Sequence, residues 1–369
     1  MATTQSAAST YQLRLPTAQG YVYRTVLSNP ARNCSDTEVP IIDISGISGP
    51  QSERQAVASQ IREAAEKTGF FYAKNHGIPH ARIDAALTQT RAFFAQPAED
   101  KRNVSIAKSK FFNGWYGRYD QMTLDSEGRD NKEGFTWRYD PRYDPEKNRH
   151  EAGVVDVPDD VRKWLRGEEF VWEGTEHLPD FKRDIIGYWQ ECLELSRRLI
   201  RVFALALDLP GDYFDYLVTY PGSDGLLNYY PANTQSSEGK LDVGVGAHTD
   251  LQCFTLLWQD AVGGLQLLDA TGQWIKVPPI EGTFVVNIGD YLMRLTNDKW
   301  KSTVHRVYNH SPVERYSMPF FFGFNFNEQC GVLPSCVDDD HPVKYEPISC
   351  GEWNQMRFAD ALGDPVAKD

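Results

Sequence analysis

The chain has 369 residues, 41% of them hydrophobic, which is enough for one large domain or two ordinary ones with a substantial core. Its 38 basic and 51 acidic side chains give a formal net charge of −13, which argues against nucleic acid or an anionic membrane as the main partner and favours a small molecule. We see no secretory signal and no apolar run long enough to span a bilayer, so we predict a cytoplasmic protein.

The first half of the chain predicts an α/β arrangement. Residues 1–37 are polar and are predicted to form a partly loose arm, in which residues 21–23 could add a short strand. Apolar runs and helical spacing then predict, in order, a strand over 39–44, a helix over 52–67, a strand over 69–77 and a helix over 83–94. We therefore predict an α/β lobe over residues 38–210.

Residues 108–150 carry many aromatic side chains without a regular period, which predicts a long loop region. Long loops in compact proteins often bind ligands, but aromatic side chains can equally pin a loop to the core. The apolar stripe over residues 181–209, ended by Pro210, predicts a long helix that backs a sheet.

The later part of the chain predicts a β-rich core. Short strands follow one another from about residue 242 to 327, with a hairpin turn over 270–273 and a short helix over 291–295. This spacing favours a sandwich or jelly roll, which we assign to residues 211–350. Residues 351–369 are predicted to form a C-terminal helix and tail.

Two histidines and one aspartate form a candidate metal site. In the stretch Gly244-Val-Gly-Ala-His-Thr-Asp250, a β-strand would place His248 and Asp250 on one face, and His305 lies in a later β-rich run. Two imidazoles and one carboxylate leave positions open on a divalent iron, whereas four closed ligands mark a structural zinc. His310 is the alternative to His305, but it precedes the turn signal Ser311-Pro312, so His305 is preferred.

A second candidate group is Arg315 with Ser317. Their spacing puts a guanidinium and a hydroxyl on one face of a strand, where they could bind a carboxylate. The alternative is an arginine in a surface ion pair. His76, between Asn75 and Gly77, is predicted to bond local backbone in a turn rather than to bind metal.

The motifs follow one another as His-x-Asp at 248–250, a distal histidine at 305, and Arg-x-Ser beginning ten residues later at 315. In this order of motifs the chain resembles the isopenicillin N synthase-like family of Fe(II)/2-oxoglutarate-dependent dioxygenases. Asn228-Tyr-Tyr-Pro231 and residues 39–43 and 69–78 are also similar, so that the resemblance spans roughly residues 39–360.

The resemblance implies a fold that is mainly β with flanking helices, built on a distorted double-stranded β-helix, or jelly roll. It implies Fe(II) held by His248, Asp250 and His305, with 2-oxoglutarate chelating the iron and its far carboxylate held by Arg315 and Ser317. Tyr230 and Asn228 are further candidates for cosubstrate binding.

The implied reaction uses dioxygen to oxidise an unactivated C–H bond, by hydroxylation, desaturation or oxidative ring formation. Isopenicillin N synthase shares the Arg-x-Ser pair but uses no 2-oxoglutarate, so an oxidase or cyclase of that type is the alternative. The match at Tyr230 favours 2-oxoglutarate.

The substrate is predicted to be a small apolar or ring-containing metabolite of specialised metabolism, because the candidate pocket walls are aromatic. These walls are Phe111, Phe112, Trp115, Tyr116, Phe254, Phe322, Phe324 and Phe326. The phenylalanines at 320, 322, 324 and 326 alternate onto one strand face, which equally fits core packing of a sandwich. For each of the wall residues taken singly, core packing is the preferred interpretation.

Overall fold

The computed structural model describes residues 9–17, 20–147, 156–233, 243–309 and 311–362, with side chains to residue 357. Its helices are α1 (Gln51–Lys67), α2 (His80–Phe94), α3 (Ala98–Lys101), α4 (Asp159–Arg162), α5 (Phe170–Glu173), α6 (Phe181–Ala206), α7 (Asp290–Leu295) and α8 (Cys350–Leu362). Within those residues, every helix is too short or too polar to cross a membrane.

The strands are β1 (Thr10–Thr17), β2 (Gly20–Leu27), β3 (Arg32–Asn33), β4 (Ile41–Asp43), β5 (Phe70–Lys74), β6 (Gly114–Tyr116), β7 (Glu133–Trp137), β8 (Pro221–Tyr230), β9 (Val243–His248), β10 (Phe254–Gln259), β11 (Leu265–Leu268), β12 (Trp274–Lys276), β13 (Thr283–Ile288), β14 (His305–Tyr308), β15 (Arg315–Asn325), β16 (Gln329–Cys330) and β17 (Ile348–Ser349).

Two sheets form the centre of the molecule. The larger has eight strands in the order β4-β5-β13-β10-β15-β8-β7-β6, and the smaller has five in the order β3-β12-β11-β14-β9. Side chains from both sheets, among them Tyr72, Tyr230 and Val245, pack together in one buried cluster. The fold is the predicted jelly roll with flanking helices. The larger sheet takes strands from both sides of residue 210.

Helix α6 covers the outer face of the larger sheet. The ring centroid of Phe203 on this helix lies 5.0 Å from that of Phe254 on β10. The ring centroid of Trp189 lies 6.2 Å from that of Phe320 on β15. The prediction of a long helix that backs a sheet is therefore confirmed. The helices predicted near α1, α2, α7 and α8 and the turn between β11 and β12 are confirmed as well.

The aromatic region between α2 and α6 is only partly loop. Strands β6 and β7 lie in it and extend the larger sheet beyond β8. Both are short and buried on both faces, so they show neither the length nor the alternation by which a strand is recognised. The prediction of a long loop region was wrong at these residues.

The N-terminal arm contains a hairpin of two paired strands, β1 and β2, where the sequence suggests one short strand at most. Leu13, Leu15 and Val26 are its buried apolar residues, and they pack with Leu124 and Trp274 of the body. The hairpin is held against the body by these few apolar side chains. The rest of its sequence is polar, so its composition resembles that of a loose arm.

Candidate active site

The two sheet strands of the candidate metal site run side by side. His248 ends β9 and His305 begins β14, and the two residues are direct antiparallel partners. The Nε2 atom of each lies 3.7 Å from Oδ1 of Asp250. The three donor atoms lie within 4.8 Å of one another, so the arrangement could hold one metal ion.

Each donor is oriented by a partner on its far side. The Nδ1 atoms of His248 and His305 lie 2.8 Å and 3.0 Å from the carbonyl oxygens of Gly246 and Thr303. Because a carbonyl only accepts, both Nδ1 atoms carry the proton and both Nε2 lone pairs are free for a metal.

The two oxygens of the Asp250 carboxylate also have different partners. Its Oδ2 accepts hydrogen bonds from Asn287 Nδ2, at 2.6 Å, and from Thr255 Oγ1. Its Oδ1 is left facing the two imidazoles. One oxygen is thus held by the protein and the other is available to a ligand.

The protonation states suit a metal. Burial and the neighbouring His305 lower the pKa of His248 to about 4. Burial alone would raise the pKa of Asp250, but His305, His248 and the two hydrogen bonds hold it below its ordinary value. A neutral imidazole beside an ionised carboxylate is the form that binds a divalent cation.

Two glycines of β9 allow other residues to approach the site. A Cβ on Gly244 would lie 2.9 Å from the Tyr230 ring, and one on Gly246 would lie 3.0 Å from the backbone nitrogen of Leu124. Larger residues at these positions would push away Tyr230 and the segment that carries Leu124.

Arg315 and Ser317 lie on β15, next to Tyr230 and Asn228 on β8. The Arg315 side chain is 1% exposed and donates to Ser317 Oγ at 3.4 Å and to Gln259 Oε1 at 3.2 Å. Its guanidinium lies 4.6 Å from the centroid of the Tyr230 ring. The alternative of a surface ion pair was wrong, because the residue is buried.

The buried guanidinium of Arg315 has hydrogen-bonding capacity that its protein neighbours do not use. Among the described residues Arg315 has no carboxylate partner, and its Nε has no hydrogen-bond acceptor. A buried guanidinium without a counter-charge is unfavourable, so the site fits an anionic ligand such as a carboxylate.

A cavity of about 680 Å³ opens beside His248, Thr249 and Asp250. Its walls come from the β1–β2 hairpin, from residues 120–125 and from α8, which sequence reasoning did not connect with the site. Four arginines are among the lining residues, namely Arg14, Arg129, Arg138 and Arg357. The cavity is therefore more polar than the predicted aromatic pocket.

Of the eight aromatic residues predicted as pocket walls, Phe112 lines this cavity. Phe254, Phe322 and Phe324 are buried in the core instead. The even-numbered side of β15 faces α6, and Phe254 on β10 packs against Phe322 and against Phe203 of the same helix. Phe321, on the odd-numbered side, faces the cavity. The expectation that the even-numbered phenylalanines form the pocket was wrong, and core packing was the correct alternative.

The remaining predicted wall residues have other surroundings. Trp115 is buried and donates to Glu133 at 2.8 Å, and Phe326 packs against Trp164. Tyr116 is buried beside Lys132, and Phe111 is 41% exposed. The structure therefore corrects the pocket assignment for these four residues as well.

His76 and His310 are the two further histidines that the sequence analysis considered. His76 is buried in a turn, where its Nδ1 accepts a hydrogen bond from the Ile78 nitrogen at 3.1 Å, as predicted. His310 lies outside the described residues.

Sequence reasoning missed Thr255, Asn287, Gln259 and Lys132, which surround the site. A polar residue inside the apolar run of β13 was a usable signal for Asn287. The other three become visible only once the strand register is known.

Comparison with known proteins supports the same chemistry. Residues 223–324 match the family description "2OG-Fe(II) oxygenase superfamily", and residues 39–160 match "non-haem dioxygenase in morphine synthesis N-terminal". The chain is 43% identical over 359 residues to the 2-oxoglutarate-Fe(II) type oxidoreductase ppzC of Metarhizium majus, covering 95% of each chain. It is 36% identical over 332 residues to hxnY of Emericella nidulans, covering 89% of this chain and 91% of that one.

A solved structure is also similar. It is a full-length Neurospora crassa protein in complex with alpha-KG and thymine, with a TM-score of 0.70 and 27% identity, covering 89% of this chain and 99% of that chain. The fold, the three converging donor atoms and the length of these matches all indicate the same family. The chain belongs to the 2OG-Fe(II) oxygenase superfamily, as an oxidoreductase that depends on Fe(II), 2-oxoglutarate and dioxygen.

Proposed function

We propose that the protein is a dioxygenase that oxidises an unactivated C–H bond of a small organic molecule, with iron held by His248, Asp250 and His305. The observation that carries the proposal is the convergence of these three donors beside a cavity of about 680 Å³. Three protein ligands leave positions open on the metal, which is what a catalytic site requires. When bound, iron and 2-oxoglutarate supply the oxidising power for C–H cleavage.

The chain's own residues position the cosubstrate. Arg315 offers its guanidinium to the far carboxylate of 2-oxoglutarate, and Ser317 adds a hydroxyl on the same strand face. Tyr230 packs against the guanidinium and holds its orientation. Asn228 donates to Ser317 Oγ at 3.4 Å and so holds the serine in place.

The cavity supports a substrate that combines carbon surface with hydrogen-bonding groups. Met122, Leu124 and Phe321 supply apolar surface, whereas the Arg138–Asp224 ion pair, at 2.7 Å, supplies fixed charges. Of the predicted apolar or ring-containing metabolite we keep the ring-containing alternative, and we propose that the substrate also carries polar groups and belongs to specialised metabolism. Hydroxylation, desaturation and ring formation remain the possible outcomes.

The proposed reaction forms succinate in step with the oxidised product. We expect the protein, given Fe(II), 2-oxoglutarate and a panel of functionalised metabolites, to release one succinate per coupled turnover. We expect His248→Ala to release none while its circular dichroism spectrum stays that of the wild type, because the metal loses an imidazole.

Chromatographic measurement of succinate and product checks this expectation. Product without succinate would indicate the cyclase type of reaction, which does not use 2-oxoglutarate. Undiminished turnover by the His248→Ala protein would refute the assigned metal site.

A further inference from the structure

The Arg138–Asp224 ion pair lies in the wall of the cavity beside the metal site. Arg138 Nη1 and Asp224 Oδ2 are 2.7 Å apart, and the two side chains are 10% and 8% exposed. Gln252 Nε2 also donates to Asp224 Oδ2, at 3.3 Å. Asp224 Oδ1, in contrast, has no hydrogen-bond partner among the described residues. A buried carboxylate oxygen without a donor is unfavourable, so this position fits a ligand that supplies one.

The guanidinium of Arg138 can donate beside that oxygen. Its Nε donates to the Phe111 carbonyl at 3.1 Å, and its Nη1 donates to Asp224. A guanidinium carries several N–H groups in one plane, so these bonds still allow it to donate to a ligand. The pair therefore offers a donor and an acceptor side by side at the cavity wall.

The strand register fixes the separation of this pair from the metal ligands. Thr255, which donates to the metal ligand Asp250, lies opposite Phe321 on β15. Phe321 in turn lies opposite Asp224 on β8. Because neighbouring strands are about 4.8 Å apart, Asp224 lies roughly 10 Å from Thr255 along the sheet. A ligand that contacts the ion pair would therefore extend across Phe321 towards the metal.

A second ring, that of Phe112, is tied to the same pair. Phe112 lines the cavity with a backbone φ of 65°, which a bulky residue rarely adopts. Ser109 Oγ closes the turn by accepting from the backbone nitrogens of Phe111 and Asn113. The backbone nitrogen of Arg138 donates to Asn113 Oδ1 at 2.9 Å. These bonds fix the turn that carries Phe112 relative to the ion pair.

The charges of the cavity wall favour a neutral ligand. Three of its four arginines have a carboxylate partner, namely Arg14 with Asp125, Arg138 with Asp224 and Arg357 with Asp290. The fourth, Arg129, is exposed to solvent. A ligand with a net charge would lose its hydration without meeting an unbalanced buried charge in this wall. A neutral group that both donates and accepts is therefore the better complement.

We propose that the primary substrate contains a cyclic amide, whose carbonyl oxygen accepts from Arg138 and whose adjacent N–H donates to Asp224 Oδ1. The ring lies against Phe112 and Phe321. This inference rests on the proposed function, because it assumes that the cavity holds the molecule that is oxidised. It makes Arg138 and Asp224 specificity-determining residues for the substrate rather than ligands of the metal or of 2-oxoglutarate.

Calorimetric titration of three probes of similar size into the full chain, loaded with Mn²⁺ and 2-oxoglutarate, tests the proposal. 2-Quinolone carries a carbonyl next to an N–H in one ring, 1-methyl-2-quinolone lacks the N–H, and 2-naphthoate carries a carboxylate instead. We expect 2-quinolone to bind at least about tenfold more tightly than either of the others. The methyl group leaves Asp224 Oδ1 without a donor, and the carboxylate brings a second negative charge beside Asp224.

Asp224→Asn should reverse the order of the probes. Its amide oxygen stays with Arg138, so its NH₂ group faces the N–H of 2-quinolone. We expect 2-quinolone affinity to fall by about 10- to 100-fold, and 2-naphthoate affinity to rise by about tenfold because Arg138 has lost its counter-charge. The variant should still bind Mn²⁺ and 2-oxoglutarate, because Asp224 is a ligand of neither.

A double variant, Arg138→Met with Asp224→Leu, serves should the single variant not fold, because it leaves no buried charge without a partner. We expect it to melt close to the wild type and to bind 2-quinolone and 1-methyl-2-quinolone equally. Lys101→Met is the matched control. It breaks a buried ion pair, with Glu133 at 2.6 Å, whose residues do not line the cavity. We expect this control to lower the melting temperature and to keep the wild-type preference among the probes.

Equal binding of 2-quinolone and 1-methyl-2-quinolone to the wild type, or binding of none of the probes, would overturn the proposal. Tighter binding of 2-naphthoate would overturn it in favour of a site for anions. A double variant that keeps the wild-type preference would show that the ion pair does not recognise the amide. A wild-type protein that binds neither Mn²⁺ nor 2-oxoglutarate would instead refute the proposed function, on which this inference depends.

Discussion

Asp250 shows how single side chains prepare the site. Its two oxygens have different tasks, since Oδ2 is held by Asn287 and Thr255 and Oδ1 faces the histidines. Without those two donors the carboxylate could rotate, and the metal would lose a ligand in a fixed position.

We expect Thr255→Val, which keeps the shape of the side chain and removes the hydroxyl, to lower Fe(II) affinity by about 10- to 100-fold. Titration under anaerobic conditions measures this affinity. Thr90→Val is the control, because the Thr90 hydroxyl is also buried but donates to the Ala86 carbonyl in α2, away from the site. Equal Fe(II) affinity in the two variants would contradict the role of Thr255.

The long helix α6 connects the larger sheet to the segment that follows β7. Arg197 on this helix donates to both oxygens of Asp144, at 2.8 Å and 2.6 Å, and Asp144 is fully buried. Burial alone would raise the pKa of Asp144, but Arg197 lowers it below its ordinary value. This pair therefore contributes stability above the ordinary aspartate pKa, and the contribution is lost as the pH falls through the lowered value.

We expect Arg197→Met to reduce the free energy of unfolding by about 3–5 kcal/mol at neutral pH, because it leaves a buried carboxylate without its cation. The difference in unfolding free energy from the wild type should shrink at about pH 4, where Asp144 of the variant can take up a proton. Urea unfolding at both pH values measures it.

Arg201→Met is the control on the same helix. Arg201 pairs with Asp215, and the two side chains are 58% and 36% exposed, so we expect a change of about 0–1 kcal/mol. A similar loss in both variants would count against the special contribution of the buried pair.

At the scale of the whole molecule, distant parts of the chain meet at one cavity. Arg14 and Tyr21 come from the N-terminal hairpin, and Asn354 and Arg357 come from α8. Arg357 joins these two ends, because it donates to the Pro16 carbonyl at 3.0 Å. The cavity therefore depends on both ends of the chain, on either side of the jelly roll.

The features that the sequence predicts correctly are those encoded by residues close together in the chain. Helical periodicity and turn residues are local, and they correctly predicted α6 and the turn between β11 and β12. The strand spacing predicted a β-rich core, and the motif order identified the superfamily. The assignment of His248, Asp250 and His305 as ligands stays a prediction, although the structure brings their donor atoms together.

The features that the sequence does not predict are those that depend on which strands are neighbours in the sheets. Gln259 reaches the site because β10 pairs with β15, and Lys132, which precedes β7, reaches it through a hydrogen bond to Asn228 on β8. No local sequence pattern predicts which strands become neighbours. The choice between Phe321 and Phe322 as a cavity residue depends on which side of β15 faces α6. The two-residue period of a strand shows that Phe321 and Phe322 point to opposite faces, but it does not show which face lines the cavity.

The central claim is that one metal ion, bound by His248, Asp250 and His305, creates the binding site for 2-oxoglutarate. Calorimetric titration of 2-oxoglutarate into the metal-free and the Mn²⁺-loaded protein tests it most directly. We expect one molecule to bind tightly only when the metal is present, and we expect Asp250→Ala to lose both metal and 2-oxoglutarate binding while it remains folded. Equally tight binding of 2-oxoglutarate to the metal-loaded wild type and to Asp250→Ala would contradict the claim.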